Sequence, residues 1–134
     1  MAYALGEFSD TAIIQEFTDG GSGVTKGDVV TITPAAPSTV ATVANSDASG
    51  NGPYAVAIET AAAGAKVRCV VYGEVGVDAS GNCYQGAIVY GKAGSAVTRT
   101  LSDYAVTKAP ALGRVTEGAA NGGVCTVFVG IGGI

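Results

Sequence analysis

Lys66-Val-Arg-Cys-Val-Val-Tyr-Gly73 places three valines among eight residues and stops at a glycine. β-branched side chains stiffen a helix and pack well on a pleated surface, so the segment predicts a strand. Side chains alternate across a strand, which puts Val67, Cys69 and Val71 on one face and Arg68, Val70 and Tyr72 on the other. Both faces are largely apolar, more than a sheet wetted on one side requires. Such a strand either runs through a closed barrel with loops over its outer face, or presents that outer face to another subunit.

A second stretch further on has the same look. Ala61-Ala-Ala-Gly-Ala-Lys-Val-Arg-Cys-Val-Val-Tyr-Gly73 aligns with Gly118-Ala-Ala-Asn-Gly-Gly-Val-Cys-Thr-Val-Phe-Val-Gly130 at an offset of 57 residues. Pro53 aligns with Pro110 at the same offset, and Lys26-Gly-Asp-Val-Val30 resembles Gln85-Gly-Ala-Ile-Val89. Each half reads as a glycine turn, an apolar strand, a variable loop, a short strand after proline, an Ala/Gly turn and a long apolar strand. At this offset Val124, Thr126 and Phe128 match the Val67 face, and Cys125, Val127 and Val129 the other.

Strands are expected at 28–33, 39–44, 54–59, 66–73, 87–91, 111–115 and 124–129. Asp47-Ala-Ser-Gly-Asn51 and Asp78-Ala-Ser-Gly-Asn82 read as hairpin loops, and 100–106 as one short helical turn. The fold class that follows is all-β: a small barrel, β-tulip-like or sandwich domain over residues 27–134, with pseudo-repeats at about 27–78 and 85–134. Residues 1–26 differ, holding Glu7, Asp10, Glu16 and Asp19 against the single cation Lys26 and closing on Asp19-Gly-Gly-Ser-Gly23. They read as an extended N-terminal arm ordered against a neighbour, or as a first strand at 11–17 of the same barrel. In the arm reading, Ile13, Ile14 and Phe17 are the residues expected to make the contact with that neighbour.

Composition narrows the function. Of 134 residues 48% are apolar, 13% are charged, 21 are glycine and none is tryptophan, giving a thin core of small β-branched residues with many turns. The net charge is −4 and the seven cations, Lys26, Lys66, Arg68, Lys92, Arg99, Lys108 and Arg114, are scattered, so nucleic acid is not an expected partner. No signal-peptide pattern opens the chain, and no run reaches the roughly 18 apolar residues of a membrane-spanning helix. Cys69, Cys83 and Cys125 are odd in number and lack pair spacing, which fits free thiols in a cytoplasm, with Cys83 the most exposed.

Signals of chemistry are missing. With no histidine in the chain, the commonest general base and metal ligand is absent. Gly91-Lys-Ala-Gly-Ser95 is too short for a phosphate loop, and each Asp-Ala-Ser-Gly-Asn turn offers two side-chain ligands where calcium takes about six to eight oxygens. Glu59 and Glu74 lack the aromatic lining of a sugar cleft. Neither an enzyme nor a cofactor or metal site is expected.

The segments Lys26-Gly-Asp-Val-Val30, Tyr54-Ala-Val-Ala-Ile58, Ala61-Ala-Ala-Gly64, Val67–Val71 and Gly73-Glu-Val-Gly-Val77 resemble a family of short phage proteins encoded beside the major capsid protein. Members of that family are regarded as capsid decoration, or cement, proteins. The second half continues the resemblance in Gln85-Gly-Ala-Ile-Val-Tyr90, Ala111-Leu-Gly-Arg-Val-Thr-Glu117 and Val124–Val129, so that it spans residues 24–130. A long loop at 34–52 and the acidic N-terminal segment depart from the pattern. The resemblance implies a protein made in the host cytoplasm that binds the major capsid protein on the outside of the virion, as a homo-oligomer with a trimer favoured. Another phage or surface assembly module, of a tail, fibre or surface layer, shares this composition. A ligand-binding or enzymatic barrel fits less well, because Trp and His are both missing.

Overall fold

The computed structural model describes residues 2–20, 23–33, 42–45, 54–79, 81–92, 95–98 and 112–130. Within them the strands run β1 (Ile13–Asp19), β2 (Val29–Thr33), β3 (Thr42–Asn45), β4 (Tyr54–Ala57), β5 (Lys66–Asp78), β6 (Ile88–Lys92), β7 (Ser95–Thr98), β8 (Gly113–Glu117) and β9 (Val124–Val129). The chain is all-β and barrel-like.

The valine-rich stretch organises everything else. β5 continues past Gly73 to thirteen residues and is paired along both edges. On one edge β1 runs antiparallel to Lys66–Tyr72, and Leu5 and Phe8 then bridge to Gly76 and Val75. On the other edge, β4 pairs at Cys69 and Val70, and β9 takes over from Gly73 to Asp78. The handover occurs at Gly73, whose φ is +122°. A β-carbon there would lie 2.8 Å from the Ala12 Cα, so only glycine lets β5 turn beneath the N-terminal segment.

Two sheets result. β1, β3, β2, β4 and the first half of β5 close into a five-stranded barrel, sealed by the parallel pairing of Thr18 and Asp19 with Thr42 and Val43. From the second half of β5 a second antiparallel sheet continues through β9, β8, β6 and β7. The order β3-β2-β4-β5 thus recurs as β7-β6-β8-β9.

The internal repeat is visible bond by bond. Gly64 N donates to Asp19 O at 3.0 Å and Gly122 N to Ala79 O at 2.9 Å. Val24 exchanges two backbone bonds with Ala61, and Cys83 does the same with Ala119. Gly27 N donates to Ala57 O at 2.7 Å, Gly86 N to Val115 O at 2.8 Å, and these two glycines share φ values of +91° and +88°. The correspondence of Ala61 with Ala119 and Gly64 with Gly122 sets the offset at 58 residues, correcting the 57 expected. A one-residue slip exchanges the faces of a strand. Val67, Cys69 and Val71 therefore match the buried Cys125, Val127 and Val129, while Val124 and Phe128 point outward.

Two apolar clusters hold the sheets. Phe17, Val30, Ala55, Ala57, Val67, Cys69 and Val71 fill the barrel. On the opposite faces of the same strands, Val29, Tyr54, Val56 and Val70 pack with Val75, Val77, Val89, Val115, Val127 and Val129 of the second sheet. All four residues of β4 are buried for this reason. The outer face of the barrel is covered by the second half of the same chain, which answers the question posed by the two-faced apolar strands. Burial of each such valine is worth about 1.5–3 kcal/mol.

Other expectations shift. Residues 13–19 are extended but form a strand of their own barrel, the alternative to an arm ordered against a neighbour. The reason is the bare edge of β5, whose backbone donors and acceptors β1 satisfies. β7 was not expected, since Ser95-Ala-Val-Thr98 has only one apolar β-branched residue. Asp78 ends β5 before a crossover to β6, which is not hydrogen-bonded to β5, so this turn is no hairpin. The turn at 47–51, the loop at 34–41 and 46–52, and the helical turn at 100–106 lie outside the described residues.

Candidate docking surface

β1, β5, β9 and β8 lie side by side at the junction of the two sheets, and the side chains of their shared outer face form a shallow groove. A register shift decides its composition. Ile13 pairs with Tyr72 but Ile14 pairs with Val70, so two residues of β5 are passed in one step of β1. The extra residue lies in β5, and Ile13 and Ile14 both line the groove. Tyr72 lies opposite Ile13, and its ring meets Phe128 edge-on at 5.0 Å between centroids. Arg114, opposite Phe128 on β8, donates from Nη1 to the Gly86 carbonyl at 2.7 Å, which anchors its guanidinium. Thr116 and Gly130 complete a groove of about 810 Å³.

Exposure is high at the same residues, as it also is at Phe8, Tyr84 and Val124 outside the groove. Ile13 is 56% exposed, Tyr72 48% and Phe128 37%, high values for large apolar side chains on regular strands. Of the three contact residues expected from the sequence, Ile13 is presented to solvent. Ile14 is half-buried against the core, and Phe17 is 3% exposed inside the barrel. Phe17 is thus a core residue: with Asp19 it points inward because alternation along β1 requires it. Tyr72 and Phe128 were missed. Their signal was an aromatic at an outward position of an otherwise β-branched strand, hidden for Phe128 by the one-residue slip.

Arg114 is the charged residue in the groove lining, and three ion pairs lie outside that lining. Arg68 pairs with Glu59 at 3.2 Å, Lys66 with Glu16 at 3.7 Å and Lys26 with Glu7 at 3.3 Å, all exposed pairs worth about 0–1 kcal/mol each. Hydrogen bonds from the Arg68 side chain and amide hold the Glu59 carboxyl below its ordinary value. Asp28 moves the other way: desolvation raises its carboxyl, the Thr25 amide opposes this, and the charge of Asp78 adds to it.

No cluster of three or more potential metal ligands exists among the described residues, and no helix there is long and apolar enough to cross a membrane. All three cysteines are buried, Cys83 included, contrary to the expectation that it is the exposed one. Burial pushes the Cys69 thiol up to about 12.

The fold is similar to that of a phage head-fibre base. The match is to the crystal structure of the head fiber gp8.5 N base of bacteriophage phi29, with a TM-score of 0.62 and 19% identity. It covers 87% of this chain and 94% of that one, so both sheets take part. At this identity the likeness is one of fold. No protein-family model and no curated protein matches the chain.

Proposed function

We propose that this chain is a structural protein of a bacteriophage virion that docks on the outside of the capsid as a decoration subunit. The observation that carries the reading is the likeness, over nearly the full length of both chains, to the base domain of a phage head fibre. The exposed groove around Ile13, Tyr72 and Phe128 supplies a contact surface of the apolar kind that protein interfaces use. Its partner in this reading is the major capsid protein, with a trimer as the assembling unit. Stabilisation of the shell follows from mass action: a subunit that binds only the assembled form contributes about 2.7 kcal/mol per site at a hundredfold excess over Kd.

The same likeness favours a second reading, the base of a head fibre that anchors a projecting structure. Purified protein mixed with shells of the encoding phage that lack it separates the two, by sedimentation and electron microscopy. Ordered, stoichiometric density with a raised shell melting temperature is the decoration outcome. Density confined to few positions, with no change in shell melting, is the fibre outcome. Failure to bind the shell removes both and leaves a tail or surface-layer module.

A further inference from the structure

Two thiols meet inside the second half of the molecule. Cys125 is fully buried on β9, where its Sγ donates to the Val77 carbonyl at 3.4 Å. Cys83 follows the crossover after β5 and is 2% exposed. Its backbone exchanges bonds with Ala119 at 2.9 and 3.0 Å. Beside it Gly81 N donates to Asn121 Oδ1 at 2.8 Å, and Asn121 N to Asn82 Oδ1 at 3.0 Å. These bonds seat Cys83 over the start of β9, in the same apolar cluster as Cys125, and the two cysteine side chains are hydrogen-bonded to each other.

The repeat supplies an internal control. Cys83 corresponds to Val24 and Cys125 to Val67, both buried together in the barrel. A pair of valines therefore satisfies the packing at this position, and the second half carries two thiols there instead. Cys69 lies in the other cluster, apart from both.

We propose that Cys83 and Cys125 are a latent cross-link, converted to an intramolecular disulfide by a small-molecule disulfide such as oxidised glutathione. One cysteine, as thiolate, attacks the reagent's S–S bond, forming a mixed disulfide and releasing one glutathione thiol. The second cysteine attacks the protein sulfur and releases the other. Two S–H bonds and one S–S bond are broken and one protein S–S bond forms. The two electrons reduce the reagent, and the two protons end on its thiols. The bridge ties the crossover to β9 across the segment that contains β6, β7 and β8. The bond with Cys83 and burial push the Cys125 thiol up, so the reaction waits on local opening near Cys83 and the pair stays reduced in a cytoplasm.

The test is incubation of the folded protein with excess oxidised glutathione, followed by thiol titration in denaturant, intact mass and peptide mapping. The expected result is loss of two of the three titratable thiols, a mass lower by two hydrogens, and a linked Cys83–Cys125 peptide with Cys69 still free. The oxidised protein also melts several degrees higher until reductant is added. Cys83→Val and Cys125→Val, which copy the first half, fold normally and form no bridge. Three thiols still free at equilibrium, a stable glutathione adduct without linkage, or a bridge involving Cys69 would each overturn the proposal.

Discussion

At the scale of single residues, Gly73 carries the greatest structural demand. Its backbone lies in the left-handed region, and the space for a β-carbon is taken by backbone rather than by a yielding side chain. Gly64 has a similar φ of +80° but open space around it. Gly64→Ala is therefore expected to lose about 1 kcal/mol, the conformational cost alone. Gly73→Ala should lose about 2 kcal/mol more, from collision with Ala12. Urea denaturation of both variants checks the difference, and equal losses would refute the bend as described. Asp28 makes a second prediction. Its carboxyl keeps a proton to higher pH in the folded chain than in the unfolded one, so the native state binds more protons in that window. Stability contributed by this group is then full below the ordinary aspartate value and falls as pH rises through the raised one. In Asp28→Asn the side-chain carbonyl still accepts the Thr25 amide but cannot ionise. Relative to wild type the variant should gain stability between about pH 3 and pH 7. Parallel stability curves would remove the effect.

At the scale of elements, the strands most legible in the sequence are those whose pattern is redundant. β5 and β9 consist largely of β-branched residues, and no plausible error in boundary changes their type. The length of β5 was not legible, because Gly73 and Gly76 look like strand breakers. They are instead the places where Ala12 and the Tyr3 and Ala4 carbonyls press against the strand. β1 was ambiguous because its buried face is marked by one apolar residue, Phe17, together with the acidic Asp19. The register of the repeat failed for a related reason: Ala, Gly and Val at most positions leave no rare residue to pin an alignment. The groove was legible through Ile13 and Ile14, since its other half depends on which face of β9 is outward. The placement of β1 is checked by contrasting two substitutions. Phe17→Ala should cost about 3–5 kcal/mol, whereas Ile13→Ala should stay within about 0.5 kcal/mol. A small loss for Phe17→Ala would restore the detached arm.

At the scale of the whole molecule, most apolar surface that suggested a partner is consumed by the fold itself, as the second sheet covers the barrel. The groove gathers three of the exposed large apolar side chains, Ile13, Tyr72 and Phe128, and the docking proposal rests there. Tyr72→Ser combined with Phe128→Ser is expected to lower capsid occupancy at least tenfold while moving the melting temperature by only a few degrees, since truncating partly exposed side chains costs little. Unchanged occupancy in a sedimentation assay would move the contact elsewhere on the surface. Because the groove is lined mainly by apolar side chains with Arg114 as its charged member, binding should depend only weakly on salt.

The Tyr3 amide donates to the Thr126 hydroxyl at 3.2 Å, and the segment around Leu5 lies on one edge of β5 with β9 on the other. The two described ends of the chain are thus neighbours across a single strand. A pull applied between them first loads the bonds of β5 to its two neighbours and the Tyr3–Thr126 bond. A subunit held to a shell through one end and tugged at the other would resist with its best-paired strand.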